Sequence, residues 1–170
     1  MTLIPIIQLI LHSNLDRQTI QSKLENEIEE NIKVLASLRT VKKYTGKIIC
    51  PYFLMRRITG IKRYENLTFA QGKVIETKNG CNIHLKLQMD MISTIIIISA
   101  LIVAILSLLT TLISFILSAT KSTFQFNAAL PCYLGLFSGA IYGASFAHFY
   151  IEAMTIKVFL QDILQADCIE

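Results

Sequence analysis

From residue 92 to residue 117 the chain carries no charged residue, no proline and no glycine, and Ile, Leu, Val and Ala fill most positions. About 20 such residues cross the hydrocarbon core of a bilayer, so this run reads as a membrane span with tilt or an overhanging turn. A second uncharged run covers residues 124–150. Its single proline, Pro131, lies near the start, where a first-turn proline forfeits no helical hydrogen bond. Between the runs, residues 119–123 are short and polar with Lys121 as their one charge, as expected of a tight turn outside the membrane. The expectation is a two-helix transmembrane hairpin.

The cations orient it. Of the 16 Lys and Arg, 14 precede the first run, Lys121 lies between the runs and Lys157 follows them. Positive residues stay on the cytoplasmic side, so both termini are expected in the cytoplasm. The N-terminal half is then basic and the C-terminal tail acidic through Glu152, Asp162, Asp167 and Glu170. Residues 1–11 are apolar but lack a basic start and a small-x-small cleavage site, which makes them a buried strand or short helix rather than a signal peptide. Cys50, Cys81, Cys132 and Cys168 show no close spacing, and a cytoplasmic setting keeps them reduced, so neither a disulfide framework nor a zinc site is expected.

Three domains follow from this pattern: a cytoplasmic helix-plus-sheet domain over 1–90, the hairpin over 91–150 and a cytoplasmic amphipathic helix over 151–170. The fold class is an α+β membrane protein. In the first domain, Ser13, Asn14 and Asp16 offer capping oxygens, and Ile20, Leu24, Ile28, Ile32, Leu35 and Leu38 recur at helical spacing. Glu25, Glu27, Glu29 and Glu30 precede the cations Lys33, Arg39, Lys42 and Lys43, and Glu29 with Lys33 forms a favourably ordered pair. Residues 47–50, 52–58 and 67–77 read as strands of a small antiparallel sheet. Asn79-Gly80 suits a two-residue type I′ turn, and Ile83, Leu85, Leu87 and Met89 then alternate with polar residues, which predicts a hairpin over 72–89. That last strand leads almost directly into the first span. After Tyr150 the apolar spacing continues through Met154, Val158 and Leu164, so the tail either prolongs the second span onto the soluble domain or lies at the interface.

Two features point toward function. Gly135, Gly139, Gly143 and Ala147 repeat every fourth residue in the second span, and Ala100, Ala104 and Ser107, with Thr111, Ser114 and Ser118, form a small-residue stripe in the first. Small residues let helix backbones approach in lipid, either within the hairpin or between copies in a homo-oligomer. The hydroxyls of that stripe could line a hydrated path, although such groups usually bond to their own helix. The second feature is Arg56, Arg57, Lys62 and Arg63, a basic patch suited to anionic lipid or a protein partner. Tyr52, Phe53, Tyr64 and Phe69 interleave with it, but a small sheet needs such residues for its core, and direct nucleic-acid binding is not expected. No phosphate loop, metal-ligand spacing or nucleophile motif is present, so no enzyme activity, metal or cofactor is expected.

Residues 44–48, 53–58, 63–69 and 72–75, with Ile151-Glu152-Ala153 and Phe159-Leu160, resemble a set of uncharacterised small bacterial proteins that place such strands ahead of two membrane helices. The likeness departs from that set at residues 63–69, and Ala70 stands where a proline is usual. In architecture alone the chain also resembles the two-span effectors of bacterial antiphage systems, including retron effectors. That resemblance implies a multi-pass protein of the bacterial inner membrane that perturbs the bilayer when triggered, held by a regulatory protein or nucleoprotein partner. The alternative is a non-toxic membrane-anchored module whose basic β domain docks lipid or a protein.

Overall fold

The computed structural model describes residues 5–30, 42–59, 64–119 and 129–169. Their elements run β1 (Ile6–Ser13), α1 (Arg17–Glu27), β2 (Ile28–Glu30), β3 (Tyr44–Ile49), β4 (Tyr52–Thr59), β5 (Tyr64–Thr77), β6 (Gly80–Met89), α2 (Met91–Ala119), α3 (Ala129–Leu164) and β7 (Ala166–Cys168). The chain is thus mixed α and β, and two of its three helices are long and apolar enough to cross a membrane. It divides into two compact units: Met91–His148, and the described residues up to Asp90 together with those from Phe149 onward. The C-terminal segment therefore groups with the sheet.

The sheet has seven strands in the order β2-β3-β4-β5-β6-β1-β7. All neighbours are antiparallel except β2 and β3, which pair in parallel from Ile28 opposite Tyr44. It is larger than the small antiparallel sheet expected from the sequence, because three-residue strands extend it at both ends. Alternation along each strand sorts the side chains between two faces. Leu9 and Leu11 of β1, Phe53 and Met55 of β4, Ala70 and Val74 of β5, and Ile83, Leu85 and Leu87 of β6 are all buried on one face. That face is covered by Ile20 and Leu24 of α1 and by Phe149, Ala153, Ile156, Leu160 and Leu164 of α3, all buried.

The β5–β6 hairpin forms where the alternating pattern placed it, but its turn differs. Thr77 pairs with Gly80, so the two connecting residues are Lys78 and Asn79. Among the described residues the positive backbone φ values belong to Gln165 and Gly80, the latter at +123°. Type I′ needs positive φ at both central residues, so that geometry is excluded; the glycine follows the turn instead of occupying it. A Cβ on Gly80 would also run into the Ser13 carbonyl oxygen of β1.

Helix α1 is shorter than its apolar spacing implied. Asp16 caps it, its Oδ2 accepting from Thr19 N at 3.3 Å; hydrogen bonding from the Thr19 side chain, with smaller help from backbone N–H groups, draws the carboxyl below its ordinary pKa against the effect of burial. The helix stops at Glu27, because Ile28 turns to an extended conformation (φ −99°, ψ 129°) and enters β2. The Lys42 ammonium donates to the carbonyls of Glu25 (2.9 Å) and Ile28 (3.2 Å), satisfying acceptors that a helix end leaves open. Glu29 is consequently a strand residue and forms no helical pair; its expected partner Lys33, with Ile32, Leu35 and Leu38, lies outside the described residues.

Of the two readings of the tail, the structure has the continuation: residues 151–164 are the end of α3, a single helix of 36 residues and about 54 Å. Its last turn is closed by other elements: Ser13 Oγ donates to Leu164 O at 2.6 Å and Lys23 Nζ to Ile163 O at 2.9 Å. Gln165 then takes a left-handed conformation (φ +47°), and β7 pairs with β1 through Ser13 opposite Ala166.

Candidate functional site

Within the unit Met91–His148, the covered side chains of α2 follow a regular line. Ser93, Ile97, Ala100, Ser107 and Ser114 are buried, and Ala104 and Thr111 are half-buried. The steps are alternately four and three residues, the spacing that keeps one line of an α-helix directed toward a neighbour. On α3 the covered positions Gly135, Ser138, Tyr142 and Ser145 advance in the same way.

The glycine row does not share that spacing. Four residues at about 100° each advance a helix by about 40° beyond a full turn, so a strict four-residue repeat drifts around the cylinder. Gly135 lies on the covered line: a Cβ there would stand 3.2 Å from Ser107 Cβ and 4.0 Å from Ala104 O. At Gly139 and Gly143 a Cβ would meet nothing within 4 Å, and Ala147 is exposed. Of the two small-residue stripes, the structure brings together Gly135 with Ala104 and Ser107. The remaining glycines form an open strip.

The surrounding surface is strongly apolar. Leu108 is 71% exposed and Phe115 is 74% exposed, with Leu136 and Phe137 at 68% each. Contiguous apolar surface of this kind marks contact with a membrane or another protein. The hydroxyls of α2 are turned inward on their own helix: Thr110 and Thr111 donate to Ser107 O at 2.9 and 2.8 Å, and Ser114 donates to Thr110 O at 2.8 Å.

The basic residues separate. Arg56 and Arg57 are consecutive on β4 and so point to opposite faces of the sheet. Arg56 stands over the Phe69 ring, 5.4 Å from its centroid. Arg57 lies on the covered face and donates through Nη1 to Glu152 Oε1 of α3 at 3.3 Å. The Glu152 side chain is 6% exposed against 33% for Arg57. Opposite Arg57 in register is Tyr44, whose ring stacks on Phe159 at 3.8 Å between centroids. Burial raises the Tyr44 pKa; Arg57 acts against this and Glu152 with it. Lys62 and Arg63 lie outside the described residues. Of the aromatics interleaved with these cations, Phe53 belongs to the core, whereas Tyr52 is exposed on the opposite face.

Glu152 is the element that sequence reading missed. Its signal is present: it is the first acid after a long uncharged run, set among the apolar spacing of Phe149, Ala153 and Ile156. A carboxylate in such a row requires a cation on the facing element. Among the described residues no group of three or more His, Cys, Asp or Glu could hold a metal ion. No family model matches the chain, and neither a curated protein nor a solved structure matches it.

Proposed function

We propose that this chain is an effector of the bacterial inner membrane, with α2 and α3 crossing the bilayer and both termini in the cytoplasm. Copies assemble through the open glycine strip of α3 and perturb the membrane when a regulatory partner is removed or a trigger arrives. The observation that carries this reading is the free space at Gly139 and Gly143, where a Cβ would meet nothing within 4 Å. In lipid, apolar surface alone gives helices little reason to associate, and small residues that admit a second backbone supply one. The distribution of cations, 14 of 16 ahead of the first span, supports the orientation.

The test is membrane depolarisation and propidium uptake in bacteria expressing the wild type, Gly139→Leu or Gly143→Leu. At neither position would an added Cβ meet another atom within 4 Å among the described residues, so each variant should insert normally and abolish permeabilisation. Gly135→Leu should also lose activity, but with altered protease sensitivity, since it strikes Ser107. Full permeabilisation by Gly139→Leu and Gly143→Leu would refute assembly through the strip. A second reading, a membrane-anchored binding module, is favoured by the uncovered face of the sheet. Under that reading, exchanging both helices for an unrelated two-span anchor preserves function.

A further inference from the structure

Among the described residues of the sheet's own unit, α1 and the end of α3 both lie on one face and no helix lies on the other, and the strand register fixes what that face presents. Each of four adjacent strands contributes one cation: Lys47 on β3, Arg56 on β4, Lys73 on β5 and Lys86 on β6. Lys47 and Lys86 share one cross-strand row through Leu54 and Gln71, three strands apart and thus about 14 Å from each other. Lys73 belongs to the next row, between Tyr52 and His84. In the three rows that hold Lys47, Arg56 and Lys73, from β3 to β1, no carboxylate lies on this face; Glu65 pairs with Ile58 in a further row, and Glu29 of β2 beside Thr45 and Asp167 of β7 opposite His12 stand on the outer strands.

Two rings and a set of carboxamides complete the surface. Tyr52 is 54% exposed, with the Lys73 ammonium 5.4 Å from its ring centroid, and Phe69 is half-buried beside Arg56. Gln8 and Gln71 are exposed, and Gln88 is half-buried opposite Phe69. An acidic peptide would use the cations alone, and a lipid surface would gain nothing from the uncharged amides at the centre. A polynucleotide uses all three kinds of group: cations along its phosphates, rings for base stacking, amides for base edges. We propose that this open face binds single-stranded nucleic acid, with Lys47, Lys73 and Lys86 tracking the phosphates and Tyr52 as a stacking platform. This goes beyond both readings above, which gave the β domain only lipid or protein to bind.

The experiment uses the full-length protein in zwitterionic nanodiscs and fluorescein-labelled RNA and DNA single strands of about 15 nucleotides, followed by anisotropy. Saturable binding is expected, weakening between about 50 and about 200 mM salt. Lys73→Gln with Lys86→Gln should weaken it about tenfold and lower the logarithmic salt slope by about 1.4. Tyr52→Ala should weaken it about fivefold or more, while Lys157→Gln, on the helical side of the sheet, leaves it unchanged. All the substituted face residues but Lys86 are exposed, and circular dichroism checks that each variant is folded. Absence of saturable binding by the wild type, or equal binding by the face variants, would overturn the proposal. So would capture of anionic vesicles through Lys73 and Lys86 by a protein that binds no oligonucleotide.

Discussion

The ion pair between Arg57 and Glu152 joins β4 to α3, and its asymmetric burial sets what removing either partner should cost. Breaking a fully buried pair costs about 3–5 kcal/mol, whereas an exposed pair is worth about 1 kcal/mol or less. Glu152 is 6% exposed, so Arg57→Ala removes the cation paired with a carboxylate that water hardly reaches. We expect a loss of about 3 kcal/mol, near the lower end of the buried range. Arg57 keeps 33% of its side chain exposed and retains a route to solvent, so Glu152→Ala should cost less, about 2 kcal/mol after allowance for screening. The double variant should fall short of the sum by about 1.5 kcal/mol, the signature of a direct contact. Replacing both residues by Leu should recover part of the loss, because a packed apolar pair carries no desolvation cost. Thermal unfolding in detergent, followed by the sheet signal in circular dichroism, measures all four proteins. Additive losses, or a larger loss from Glu152→Ala than from Arg57→Ala, would refute this reasoning.

Two further predictions concern the same unit. Gln165 holds φ +47° just after α3, a conformation that disfavours a Cβ, so Gln165→Gly should raise stability by about 0.5–1 kcal/mol in the same melt. Burial pushes the Cys81 thiol above its ordinary pKa of 9.0, with Glu76 and Asp16 acting in the same direction. The unfolded chain therefore ionises first as pH rises; this contribution is fully present below the ordinary value and is lost as pH climbs toward the folded one. Melting temperature should fall more steeply on the alkaline side for the wild type than for Cys81→Ala, and equal slopes would refute the assignment.

Much of the fold was legible because particular residues leave little choice. The alternation of Ile83, Leu85, Leu87 and Met89 admits only a strand with one covered face, and all four are buried. The uncharged runs likewise define α2 and the first part of α3. Ile28 shows where legibility ends: it stands four residues after Leu24, on the helical period, yet it reaches the core from a strand. A spacing of four is met equally by one more helical turn and by a chain that leaves the helix facing inward. The Asn79-Gly80 pair marked the hairpin but not the turn, since glycine's positive φ serves either within the turn or just after it. Strand β7 has three residues and no alternation long enough to detect, and it exists because β1 offers an unpaired edge. In the candidate site, the small-residue rows were visible, whereas their division into a covered line and an open strip depends on where the neighbouring helix lies. The pairing of Arg57 with Glu152 spans 95 positions and was invisible to local pattern.

The two ends of the sheet bear on how copies of this chain can meet. A long outer strand presents unpaired amides and carbonyls, and it invites another molecule to add a strand and begin an aggregate. Among the described residues both outermost strands have three residues, Ile28–Glu30 and Ala166–Cys168, and each includes at least one acid. Recruitment of further strands is short of backbone partners at both borders and opposed by like charge when identical borders approach. Any ordered assembly must therefore be built from side-chain surfaces rather than from a growing β-ladder.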